Sequence, residues 1–305
     1  ARYGVMLRED GIVFDDGTTW RLGETEFFMT TTTANAGAVM ALLERLLQTR
    51  WRDLRVHVSS VSDGWAGVAV AGPKAREVLA PLVPDIDWSH EGYPFMGVRE
   101  GRMALEDGSI PVRTARLSFS GELAWEVFTP ADYGPALHRR IAAAVAEAGG
   151  APYGLEALDI LRVEKGHVTG RELDGRTTLE DLGLGRMAST KKDHLGKALA
   201  GRPELVRADR PRLVGLRPEV EGESFPAGAA LCEEGHVSGH GVGWVSSIAD
   251  SPSLGRIGLG FARGGLEAWE GRTLIAADPA RGGGEVRLRV VSPHFLDPEG
   301  RRMHG

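Results

Sequence analysis

Short apolar runs, cut apart by glycine-bearing turns, set the strongest limit on what this chain can fold into. Glycine fills 42 of the 305 positions, about 14% against a usual ~7%, and follows no three-residue period. A collagen helix is excluded, and many tight turns between short elements are expected. From Tyr3 to Thr33 the apolar alternation breaks at Asp10-Gly11, Asp15-Asp16-Gly17 and Gly23-Glu24, which reads as an antiparallel meander.

After Asn35 the periodicity changes. Val39, Leu42, Leu43, Leu46 and Leu47 recur at helical spacing. LRVHVSSV (54–61) and WAGVAVAG then predict two strands, and Pro73 opens a helix over KAREVLAPLV. MGVREGRMAL, IPVRTARLSF and LAWEVFTP predict further strands, and a helix follows Pro130 and ends at Gly149-Gly150. GLEALDILRVEKG predicts another helix, with Leu155, Leu158, Leu161 and Val163 as core candidates. Sheets covered by helices make an α+β fold. Past the charged stretch Gly201–Pro211 helical periodicity nearly vanishes, and RLVGLRP, RIGLGFA, RTLIAAD and EVRLRVVS predict a small β-barrel or sandwich. The expected domains are 1–205 and 206–305, consistent with about two domains for this length.

Composition removes several function classes. Net charge is −6, from 36 basic and 42 acidic residues well mixed, so no positive field exists to hold nucleic acid. Cys232 is the only cysteine; with no internal disulfide possible, a reducing cytoplasm is the expected compartment. No apolar run reaches the roughly 18–20 residues that span a bilayer, and the ARYGVMLRED start lacks signal-peptide features. That start enters a strand pattern within three residues, so the natural polypeptide is expected to be longer.

Few residue patterns carry chemistry on their own. Gly239, Gly241 and Gly243 are not followed by a helix or a well-placed acid, so they predict turns and bulges instead of a dinucleotide loop. Cys232, His236 and His240 share a helical spacing but lie in glycine-broken, strand-like sequence, and no metal site is expected. Neither Ser246-Ser247 nor Ser118 and Ser120 stand in a nucleophile elbow. The carboxylates are more informative. Asp15-Asp16-Gly17 has two readings, a hairpin turn, which residue physics favours, or a desolvated acid beside Phe14 and Trp20. Glu126 alternates with Trp125 and Val127, sharing a face with Ala124 and Phe128.

The order of short motifs points further. DGIVFDD, VAVAGPKAREVL, YPFM, SFSGELAWEV, YGLEALDILRVEKG, ELDGRTTLEDLGLG, KDHLGKAL and GVGWVSSIADSPSLGRIGLGFA, in that order across nearly the whole chain, resemble the tetrahydrofolate-dependent aminomethyltransferase family of the glycine-cleavage T-protein. Within it, the chain resembles more nearly the branch formed by the folate-binding parts of heterotetrameric sarcosine oxidase alpha subunits than the T-protein itself. The resemblance implies two folate-binding α/β domains followed by a C-terminal β-barrel, with the family's first strand-and-helix block lying before Ala1.

It also implies roles. The family's catalytic carboxylate falls on Asp15 in an ungapped alignment and on Asp16 with one gap. The pterin-binding glutamate falls on Glu126, whose two acceptor oxygens suit the paired N–H donors of a 2-amino-4-oxo ring edge. Thr31, Thr32, Tyr93, Phe95 and Trp125 become candidate pocket walls or polar contacts. Two departures stand out: Leu158 replaces an arginine before Asp159-Ile160-Leu161-Arg162, and Leu179 replaces a proline after Thr177-Thr178. The first agrees with the oxidase branch over a glycine-cleavage role. That branch implies capture of the imine carbon of oxidised sarcosine on tetrahydrofolate, with FAD, FMN and NAD held elsewhere and beta, gamma and delta subunits as partners. A free-standing aminomethyltransferase and a non-catalytic scaffold are the alternatives.

Overall fold

The computed structural model describes residues 1–237, 240–278 and 284–305, so Gly239 lies outside the described residues. These residues gather into two compact units: Ala1–Gly4, Asp15–Tyr153 and Gly300–Gly305 form one, Val5–Phe14 and Gly154–Glu299 the other. Strands β1 (Arg2–Leu7), β2 (Val13–Arg21) and β3 (Phe27–Met29) make a three-stranded sheet in chain order, followed by helix α1 (Ala36–Thr49). Segment 54–61, expected as a strand, is instead unpaired coil exposed along almost its whole length. Its alternation states a preference, and no described strand pairs with it.

The first unit is centred on a four-stranded antiparallel sheet ordered β4-β7-β6-β5, from β4 (Trp65–Ala71), β5 (Val98–Leu105), β6 (Gly108–Ala115) and β7 (Ala124–Pro130). Helices α2 (Ala75–Leu79) and α3 (Gly134–Glu147) cover one face. There Val70, Leu79, Met103, Trp125, Val127 and Leu137 form the core. The other face carries a smaller cluster of Trp20, Ala115 and Leu117, joined by Phe28, Met96, Val98 and Phe128.

In the second unit α4 (Leu155–Lys165) differs from its predicted burial. Leu155 is 84% exposed, while Arg162, Val163, Glu164 and Lys165 are buried. Ionic and hydroxyl partners replace an apolar stripe: Arg162 pairs with the buried Glu172 at 3.0 Å, Glu164 accepts from Ser251, and Lys165 donates to Asp297. The helix α5 (Lys197–Ala200) precedes a closed barrel of β8 (Pro211–Pro218), β9 (Ala230–Cys232), β10 (Gly243–Ser251), β11 (Gly255–Arg263), β12 (Thr273–Ala277) and β13 (Glu285–Val291), ordered β10-β11-β8-β13-β12-β9. The short helix α6 (Gly265–Trp269) interrupts the strands, and α7 (Arg301–His304) closes the chain within the first unit. A bulge in β10 between Val245 and Ser247 lets two consecutive hydroxyls, Ser246 and Ser247, both reach Glu172 Oε1, at 2.7 and 2.6 Å.

Candidate functional site

Glu126 lies mid-strand in β7, opposite Ala69 of β4 and Ala115 of β6. Opposed residues of an antiparallel ladder share a face. A row Ala69–Glu126–Ala115 therefore crosses the sheet, continued by Val98 of β5. Both direct neighbours of the carboxylate carry only a methyl side chain. Next on that face, Phe128 packs edge-on against Trp20 and Phe28, with centroids 5.3 and 5.7 Å apart. The half-buried Glu126 makes no hydrogen bond or ion pair among the described residues, and burial alone pushes its carboxyl above the ordinary range. Tyr153 feels this charge: burial first, then Glu126, raises its phenol. A desolvated acid without a protein donor is the arrangement expected where a ligand supplies the donors.

Trp125 and Tyr93 occupy the opposite face. Both are fully buried, Trp125 with its ring centroid 5.5 Å from Trp88 and 6.0 Å from Tyr93, and the Tyr93 hydroxyl lies 2.6 Å from Thr114 Oγ1. They brace the sheet behind Glu126 and do not line its side. Phe95, half-buried in the loop before β5, meets the His304 ring at 4.7 Å.

The Asp15-Asp16-Gly17 triplet runs inside β2 and is no hairpin turn. Its glycine answers a different need: a Cβ on Gly17 would stand 2.0 Å from the Thr30 carbonyl oxygen. Strand alternation separates the two acids. Asp15, 0% exposed, accepts from the Thr32 N–H at 3.1 Å and the Asn35 amide at 3.2 Å, anchoring the turn that leads into α1. Asp16 accepts the Tyr3 hydroxyl at 2.7 Å. Burial, aided by the Asp15 charge and opposed by hydrogen bonds from Tyr3 and Thr32, holds the Asp16 carboxyl above its usual value. Burial and then Asp16 raise the Tyr3 phenol in turn. Thr32 thus belongs to the acid pair, whereas the Thr31 hydroxyl donates only to the adjacent Thr32 carbonyl, at 3.3 Å.

Tyr3, Asn35 and Tyr153 were not singled out from the sequence. Their roles depend on strand pairing and on contacts far along the chain, for which no local pattern exists. Among the described residues no group of three or more His, Cys, Asp or Glu could hold a metal ion, and no helix is long and apolar enough to cross a membrane.

Comparison with known proteins places these features in context. Residues 1–192 match the GCVT N-terminal domain family. The whole chain is 42% identical to sarcosine oxidase subunit alpha of Rhizobium meliloti, of which it covers 31%. An aminomethyltransferase of Rubrobacter xylanophilus is 33% identical across 98% of this chain and 75% of its own length. The crystal structure of glycine cleavage system aminomethyltransferase T from Bartonella henselae is similar with a TM-score of 0.78 at 25% identity, over 97% of this chain and 76% of that one. The chain thus spans less than a third of the sarcosine oxidase subunit it matches.

Proposed function

Because the chain belongs to the GCVT aminomethyltransferase family, we propose that it binds tetrahydrofolate and serves as the one-carbon acceptor part of a sarcosine oxidase alpha subunit. In the whole complex sarcosine, dioxygen and tetrahydrofolate would yield glycine, hydrogen peroxide and 5,10-methylenetetrahydrofolate. Oxidation, with FAD, FMN and NAD, is assigned to the rest of a cytoplasmic complex containing beta, gamma and delta subunits. Residues 1–205 are the folate-binding region in this reading and 206–305 the barrel domain. Identity of 42% along the entire chain favours the oxidase branch over a free-standing aminomethyltransferase.

The observation that carries the reading is the unpartnered, desolvated Glu126 carboxylate between two alanines. Its two oxygens suit the adjacent N–H donors of a pterin edge, and a charge-assisted pair there satisfies an otherwise costly buried group. Bound tetrahydrofolate supplies a secondary amine that accepts the carbon. This chain's residues orient the ring, through Glu126, and handle the proton. Asp16 suits proton handling because it is half-buried, its carboxyl is raised toward the working range, and Tyr3 holds its Oδ2. Asp15 has both oxygens engaged and supports the loop. Thr32 steadies the pair, Phe95 bounds the neighbouring loop, and Trp125 and Tyr93 stiffen the sheet.

The test is a fluorescence titration of tetrahydrofolate against wild type and Glu126→Gln, in the native assembly. The variant should bind at least about tenfold more weakly, the value of one lost charged hydrogen bond. Equal affinity refutes the assignment.

A further inference from the structure

One residue holds both ends of the Tyr93–Gly97 loop. Arg116 directly follows β6; its N–H donates to the Gly97 carbonyl at 2.9 Å, and its carbonyl accepts the Met96 N–H at 3.0 Å. Its side chain turns to the other face of the sheet, where Nη1 donates to the Tyr93 carbonyl at 2.9 Å and the guanidinium lies 5.6 Å from the Trp125 ring centroid. This cation is 1% exposed. Among the described residues its remaining partners are the Met303 and His304 carbonyls and the His90 ring, with no carboxylate, and its Nε is unpaired. Burying a charge against neutral acceptors alone is unfavourable, so the position asks for a reason in what it holds.

What it holds is strained. Met96 sits at φ 64°, in the left-handed region that disfavours a side chain. In that conformation Met96 packs against the cluster of Trp20, Ala115 and Leu117. Ala115 is the direct neighbour of Glu126 in the row across the sheet. The loop therefore delivers a thioether side chain to the Glu126 face, and Arg116 locks the delivery from both sides of the sheet.

We infer that Arg116 is a positioning residue for the Glu126 site, and that the Met96 side chain it sets in place walls that site beside Ala115 and keeps water from the carboxylate. The inference rests on the folate reading above. Burial is the whole cause of the Glu126 shift, and Tyr153 is the titratable group that feels its charge. Arg113, also on this face, is taken up by Glu100 at 2.8 Å and by the Phe28 and Trp65 rings. Loosening the loop should accordingly hydrate Glu126 without giving it a new counter-charge.

The experiment measures tetrahydrofolate affinity from acidic to neutral pH in the native assembly, for Arg116→Lys, Met96→Ala, Met96→Gly and Glu126→Gln. Lysine keeps the charge but not the fork that reaches several carbonyls. Arg116→Lys should weaken neutral-pH binding about fivefold or more and move the acid limb down by about half a unit, as Glu126 regains water. Both Met96 variants give up the packing on Trp20, Ala115 and Leu117 and should weaken binding; Met96→Gly also relieves the positive φ that Met96→Ala keeps, so it should have the higher Tm of the two. A merely structural role would lower Tm and leave the acid limb in place. Folded Arg116→Lys with unchanged affinity or an unmoved limb overturns the inference. Should that variant fail to fold, unchanged affinity in both Met96 variants overturns it. Glu126→Gln separates the layers: wild-type binding there sinks the folate reading itself, whereas lost binding there with intact binding in the other variants sinks only the role of the loop.

Discussion

The neighbouring acids Asp15 and Asp16 should respond to substitution in opposite ways. Asp15→Ala removes the acceptor for the Thr32 N–H and the Asn35 amide in a fully buried position. Asn35 is half-exposed and can turn toward water, so the loss is set mainly by one stranded backbone donor, about 1–3 kcal/mol. Asp16→Asn keeps an oxygen for the Tyr3 hydroxyl and removes a carboxylate whose ionisation is disfavoured in the fold. The sign follows from linkage. With its folded pKa raised, Asp16 binds its proton more tightly in the native state, so its contribution to stability falls as pH rises from the ordinary aspartate value through the folded one. At neutral pH the asparagine should therefore be neutral or stabilising, while the proton-handling factor of about 10²–10⁴ disappears. Urea unfolding gives the stabilities. The ratio of formaldehyde to methylenetetrahydrofolate during sarcosine turnover gives the chemistry. A stable Asp16→Asn that keeps the wild-type product ratio, or an Asp15→Ala as stable as wild type, would refute the division of labour.

Two further outcomes are expected. Glu172→Ala removes one of the two carboxylates on the buried Arg162, which keeps Asp159 at 2.7 Å and Ser247 at 2.7 Å, and leaves the Thr169 N–H without its acceptor, so it should cost about 1–3 kcal/mol; Glu172→Gln, able to present its oxygen to Arg162 and its amide to Ser246 and Ser247, should cost well under half of that in the same urea assay. Gly17→Ala forces a Cβ against the Thr30 carbonyl, so it should part β2 from β3 and lower stability by about 1–3 kcal/mol, read as a fall in the urea midpoint and faster amide exchange at Trp20 and Leu22, whose N–H groups face β3.

Where local rules and long-range packing agree, the sequence was legible. The alternation that put Trp125 and Glu126 on opposite faces is what the structure shows, as is the helical stripe over Ala36–Thr49. The barrel strands were legible because turn glycines bound them. Three readings failed for physical reasons. Asp-Gly is a turn pair by local preference, but the close approach of the Thr30 carbonyl asks for the same glycine inside a strand. The 54–61 pattern needs a pairing partner that the described residues do not supply. On α4, a search for apolar periodicity misses a buried face built from Arg162, Glu164 and Lys165, each with a partner 10 to 132 positions further along the chain. Of the candidate site, the acids could be named from the sequence, but how differently Asp15 and Asp16 are held depends on Tyr3, Thr32 and Asn35, which no local pattern connects to them.

The adjacency of Trp125 and Glu126 also guards against misfolding. If β7 slipped one residue along β4, every side chain would change sides: the indole would swing to the side of Ala69 and Ala115 and the carboxylate would be thrust among Trp88, Tyr93 and Leu137. Neither error is tolerable, so a mispaired strand is rejected at both positions at once. The pair that distinguishes the two faces of β7 thereby proofreads the assembly of its own sheet.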